Sequence, residues 1–175
     1  MFRHNVIRGK KCEHEFEMLL KREGIFNRKA TEREDRFDHI DYWLKFEIPE
    51  ASPVSMSVDV KSLKKVRGQF QDELFYIEMI NDNGNKGWVH APKMDLVAFE
   101  CNDGFRMYRR ERLVNFIHEK GMKSFQVIER RLPMKDTKSC CVLLPRAQIE
   151  HLLFYTILKS IDASQSWPNE LVIML

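Results

Sequence analysis

What this chain has little of narrows its class before any motif is considered. Among 175 residues there are four cysteines, Cys12, Cys101, Cys140 and Cys141, and no C-x-x-C spacing. That argues against a zinc site or a disulfide framework and for small apolar thiols in a reducing compartment. No apolar run approaches the roughly 20 residues that a membrane helix needs. The opening Met-Phe-Arg-His-Asn lacks the apolar stretch of a secretory signal, so a soluble protein of the cytoplasm is expected. Internal repeats, low-complexity tracts and linkers are absent, as are the phosphate loop, H-E-x-x-H, G-x-S-x-G and EF-hand motifs. A net charge of +3 is too small to identify a polyanion partner by itself.

What is present fits one globular α/β domain spanning residues 1–175, with 43% hydrophobic residues to fill a core and 31% charged residues to solvate its surface. An amphipathic helix is expected over 10–23, with Phe16, Leu19 and Leu20 at helical spacing and Gly24 as its stop. Two strands follow, near 38–48 and 54–62, folded into a hairpin by the breaker Pro49-Glu50-Ala51-Ser52-Pro53. Residues 63–71 read as a basic connector. Residues 73–80 read as a buried and central strand, followed by a strong turn over 81–87. Asn102-Asp103-Gly104 joins strands over 94–101 and 105–109, and a short helix over 111–120 ends at Gly121. Strands are expected over 125–132 and 140–144, a long helix over 146–161 and a small edge strand over 171–175.

The chemistry concentrates in the first hairpin. Side chains alternate along a strand, so Asp59 and Lys61 share one face of the second strand while Val58 and Val60 share the other. In the first strand Asp41 shares a face with His39 and Trp43. The hairpin brings Asp41 near Asp59, and like charges so placed are costly unless a cation or a proton neutralises them. Two carboxylates and a lysine beside a hard cation make a centre for cleaving phosphodiesters. A second D-x-K, Asp136-Thr137-Lys138, lies in a polar loop without that scaffold.

Around this centre several side chains carry two readings. Glu78 is either a further metal ligand or the partner of Lys64 or Arg67. His39 either contacts a phosphate or packs. Trp88 either stacks on a base or fills the core. Lys64, Lys65 and Arg67 directly follow the Asp59 strand and are the foremost phosphate-backbone contacts, with Lys10 and Lys11 in the basic front of the chain.

Gly9, Glu13, Phe16, Leu20 and Gly24 fit the pattern G-x-x-x-E-x-x-F-x-x-x-L-x-x-x-G on the first helix. With Asp41 and the Asp59-Val60-Lys61 triplet, the chain resembles the PD-(D/E)XK nuclease superfamily over residues 9–100. Ile40 stands where the proline of that name would be. The run from Tyr76 to Asn81, with Gly84, Gly87-Trp88 and residues 95–99, is similar to phage and mobile-element members. The resemblance implies a restriction-endonuclease-like core, a central mixed sheet flanked by helices. It implies Mg²⁺ or Mn²⁺ held by Asp41, Asp59 and the Val60 carbonyl, with Glu13 reaching the metal's water shell from the helix. Glu17, one turn further on, rivals Glu13. Lys61 would orient or deprotonate the attacking water, or offset transition-state charge. The implied activity is DNA hydrolysis leaving 5′-phosphates, and many relatives are homodimers. Its rivals are a binding or scaffold protein that keeps the fold without the chemistry, and a hydrolase of small phosphoesters.

Overall fold

The computed structural model describes residues 2–48, 50, 52–66, 69–131 and 138–159. Helix α1 (Phe2–Arg22) starts earlier than its apolar periodicity suggests and stops at Gly24, whose φ of 70° suits glycine. Strands β1 (Phe26–Lys29), β2 (Tyr42–Phe46) and β3 (Val54–Lys61) follow. Next come the small ribbon β4 (Lys64–Val66) and β5 (Gln69–Gln71), and then β6 (Leu74–Ile80). The hairpin β7 (Leu96–Cys101) and β8 (Gly104–Arg109) leads into helix α2 (Arg110–Lys120). Strands β9 (Gln126–Arg131), β10 (Lys138–Pro145) and β11 (Leu153–Leu158) complete the described chain.

The architecture is α/β around a mixed six-stranded sheet of order β1-β2-β3-β7-β8-β11, in which β3 and β7 run parallel and their neighbours antiparallel. Helix α1 covers one face. Cys12, Phe16, Leu19 and Leu20 meet Tyr42, Leu44, Val58, Val60, Leu96, Ala98, Phe105 and Met107 there. The opposite face carries Val97, Phe99 and Tyr108. It is covered by α2 together with a second antiparallel sheet, β6-β10-β9, through Phe75, Ile77, Val142 and Leu144. A helix therefore flanks the central sheet alone on one side only; a sheet and a helix share the other. Among the described residues no helix is long and apolar enough to cross a membrane.

Several elements differ from the sequence expectation. Residues 38–41 are not strand: Glu34–Asp38 form a π-helical turn, and His39 follows in the left-handed region at φ 55°. The polar segment preceding β2 supplies its own side-chain partners and so bends instead of extending. Strand β6 is not central but the edge of the second sheet, because its buried Phe75 and Ile77 pack onto the first sheet instead of joining it. The basic connector folds on itself as the β4–β5 ribbon. Over 146–159, the described part of the expected helix 146–161, the chain is not a long helix. One helical turn at Arg146–Ile149 and a 3₁₀ turn precede β11, whose pairing with β8 overrides helical spacing. Its Ile157 and the neighbouring Ile149 are core residues. The strand expected over 171–175, Arg67, and most of the second D-x-K (Asp136, Thr137) lie outside the described residues.

Gly104 is required by close approach, since a Cβ there would sit 2.0 Å from the Ile157 carbonyl oxygen on β11. Phe16 docks α1: it is fully buried, with its ring centroid 6.0 Å from that of Tyr42 and 5.0 Å from that of Phe105. Phe16→Ala is expected to cost about 3–5 kcal/mol and to lower the thermal midpoint by roughly 10 °C, read by denaturant and thermal unfolding.

Candidate metal and phosphodiester centre

The centre forms where the β2–β3 ladder opens. The ladder starts at Tyr42, which pairs with Val58, and the Asp41 amide just before it donates to the Val58 carbonyl at 2.9 Å. The Asp41 carboxylate thereby takes the place of the missing strand: its Oδ2 accepts the Val60 amide at 2.7 Å. Because the amide and carbonyl of one strand residue point to the same side, the Val60 carbonyl faces this same open edge.

Along β3, Ser57, Asp59 and Lys61 point to the face opposite Met56, Val58 and Val60. Ser57 is satisfied by Asp95, which accepts its amide and hydroxyl at 2.8 and 2.9 Å. Asp59 is only 4% exposed. Lys61 Nζ lies 2.6 Å from its Oδ2, yet that oxygen has no well-directed hydrogen bond, so the contact is a close ion pair with spare acceptor capacity. Trp88, 4% exposed, walls the site from the core side, with the Lys61 ammonium 5.2 Å from its ring centroid. The indole is a packing residue that also holds a cation.

Burial is the main force on the acid pair. It pushes the Asp41 carboxyl up to about 7, with the Asp59 charge adding to the rise and the Val60 amide and Lys61 opposing it. Asp59 is raised as well, again chiefly by burial, while Lys61 and the hydrogen bond to Asp41 pull it down. Each carboxyl shifts the other's titration, so a proton taken up by one changes the charge felt by its partner. For Lys61 burial favours the neutral amine, but Asp59, Asp41 and Glu78 together outweigh it, and the ammonium is stabilised. His39 is held below its usual range by burial and by the Lys61 charge, so its imidazole is neutral near pH 7.

The structure brings Asp41, Asp59, Lys61, Glu13, Glu78 and His39 into one electrostatic neighbourhood. Glu13 feels burial first and Asp41 second, both raising its pKa; Lys29, 3.8 Å away, opposes them. The Tyr42 hydroxyl donates to the Glu13 carbonyl at 3.1 Å and fixes this turn of α1. Glu17 instead pairs with Lys21 on the helix surface. His39 does not share a strand face with Asp41, since its left-handed backbone sets it apart, yet it senses Lys61, Glu78 and Asp41. Lys64 lies within electrostatic reach of Lys61 and Glu78. Lys65 is further out on the ribbon, and Lys10 and Lys11 are exposed on α1.

Sequence reasoning missed Asp35. Its charge acts on Glu13, His39 and Asp59, which places a further carboxylate at the rim. The signal available was the polar segment before β2. Its neighbour Glu34 accepts from the Thr31 amide (2.7 Å) and hydroxyl (2.9 Å), from Arg28 (3.0 and 3.2 Å) and from Trp43 Nε1 (2.9 Å), and so fixes the turn that presents Asp35.

Glu13, Asp35, Asp41, Asp59 and Glu78 outnumber the nearby lysines, and the donors are hard oxygens, which suits Mg²⁺ or Mn²⁺. Among the described residues the one set of three ligand-type atoms all within 4.8 Å of one another is elsewhere: Asp72, Cys101 and Asp103. Guanidinium groups already neutralise its carboxylates, Arg146 on Asp72 and Arg106 on Asp103. Protein-family models, curated proteins and solved structures were compared with this chain, and none matches it.

Because the folded pKa of Asp41 is raised from 3.8 to about 7, its protonated form contributes stability that is complete below pH 4 and lost as pH rises through 7. The stability difference between the metal-free protein and Asp41→Asn should therefore shrink by roughly 2–4 kcal/mol over that window. Added Mg²⁺ or Mn²⁺ should raise the thermal midpoint of the unsubstituted protein more at pH 8 than at pH 5. Urea unfolding across pH and thermal-shift titration measure the two effects; a pH-independent difference would contradict the burial argument.

Proposed function

We propose that the protein is a metal-dependent DNA hydrolase of restriction-endonuclease-like fold. The observation that carries the reading is the half-buried Asp41 paired with the buried Asp59, which has an unsatisfied oxygen, set beside an ammonium at the open end of a hairpin. Such a pair is unfavourable in water-poor surroundings unless a proton or a cation joins it.

Asp41, Asp59 and the Val60 carbonyl would hold the cation, with Glu13 and Glu78 at the margin of its water shell. When bound, it supplies Lewis-acid polarisation of the scissile phosphate and acidifies a coordinated water. Lys61, ion-paired with Asp59, is a donor and not a base in the metal-free centre. Its part is to orient the attacking water and to offset charge as the phosphorus gains its fifth oxygen. The neutral His39 can accept a proton from water or donate to a phosphate oxygen. The Val60 amide fixes the Asp41 carboxylate, the Val58 carbonyl holds its amide, and Trp88 walls the Lys61 side. The order α1, β1, β2, β3 and then a strand parallel to β3 supports the family resemblance carried by Glu13, Asp41, Asp59 and Lys61.

Incubated with labelled linear, circular and single-stranded DNA, the protein should cleave in Mg²⁺ or Mn²⁺ and not in chelator. Asp59→Ala and Lys61→Ala should each lower the rate by at least about a hundredfold while unfolding cooperatively like the parent. Binding without cleavage on every substrate would replace the hydrolase with a nucleic-acid-binding protein of this architecture. Turnover of a chromogenic phosphodiester with no retention on DNA would favour a small-substrate hydrolase.

A further inference from the structure

An aromatic ring stands exposed beside this centre with cations around it. Phe70, on β5, is 46% exposed. Its register partner on β4 is Lys65, whose ammonium lies 4.7 Å from the ring centroid. From α1, the Arg8 guanidinium stacks at 3.9 Å. An isolated surface phenylalanine needs no explanation. An exposed phenylalanine with two cations gathered at its ring, on a ribbon that follows the Lys61 strand, is a different case.

The ribbon follows the Lys61 strand and is tied down to α1, β7 and β6. The Leu63 carbonyl accepts Arg8 Nε at 3.1 Å, and the Leu63 amide donates to Glu100 at 2.9 Å. Arg8 also pairs with Glu100 at 3.1 Å. On the other side, the Tyr76 hydroxyl donates to the Lys65 carbonyl at 3.3 Å, and Tyr76 lies on the strand that carries Glu78. Lys64, the first residue of the ribbon, lies within electrostatic reach of Lys61 and Glu78. Phosphate contacts need only the cations; an exposed ring adds nothing to them. A ring is useful to a base whose face is free, and in a duplex both faces of an internal base are already stacked.

We propose that Phe70 is a stacking ledge for an unpaired base, with Arg8, Lys64 and Lys65 holding the adjoining phosphates. The substrate class is then DNA that is single-stranded, frayed or branched beside the cleaved bond. This inference rests on the hydrolase reading for its location, but its test does not depend on cleavage. Affinity is read in chelator by anisotropy of a labelled oligothymidine and of a labelled blunt duplex. The intact protein binds oligothymidine more tightly than duplex. Phe70→Ala weakens oligothymidine binding about tenfold and leaves duplex binding unchanged, and Phe70→Trp restores it. Lys64→Ala weakens both and flattens the salt dependence.

Oligothymidine affinity that is indifferent to Phe70→Ala, or an equal loss on both DNAs, overturns the ledge even if metal-dependent cleavage is present. Phe70-dependent oligothymidine binding without cleavage in any metal retains the ledge and removes the hydrolase.

Discussion

The molecule is organised around one electrostatic problem: two carboxyl groups brought together at the end of a hairpin, in a place with little water. Each nearby feature answers part of it. The Val60 amide binds Asp41, Lys61 pairs with Asp59, and the raised pKa of Asp41 lets protonation relieve part of the rest. None of these completes the coordination of the Asp59 oxygen. The fold thus keeps a deficit of positive charge at a fixed point, and a small hard cation matches that deficit in size, charge and ligand preference.

Charge of the opposite sign surrounds this acidic point at a distance. Arg8, Lys64 and Lys65 stand on the ribbon side, with the Lys61 ammonium between rim and centre. An acidic middle with a basic border suits a substrate that is itself anionic and is attacked through a metal. In the proposed hydrolase the border would draw the polyanion, and the middle would be reached only once a cation had reversed its sign.

Much of the first third of the centre was legible in the residues. Period-two alternation put Asp59 and Lys61 on one face of β3, and the proline-rich breaker marked the hairpin that opposes Asp41 to it. Asn102-Asp103-Gly104 and Gly121 marked their turn and helix end correctly. Illegible parts share a cause: long-range pairing that local patterns do not encode. Strand β6 looked central because its apolar residues are those of a covered strand, but they are covered as the edge of a second layer. Residues 153–158 carry helical spacing, yet the open edge of β8 recruits them as strand. The π-turn that sets His39 and Asp35 depends on Glu34: its capping box with Thr31 is a local pattern, but its contacts with Arg28 and Trp43 are not.

That turn has a consequence for how the chain tolerates change. Surface connections usually absorb insertions and deletions without harm. Here the wider ring of the π-turn, closed from the His39 amide to the Glu34 carbonyl, counts residues between β1 and β2. Removing one would tighten the coil and rotate Asp35 away from the rim, while adding one would displace His39. An outwardly solvent-facing loop is thereby as constrained in length as a core strand is in register.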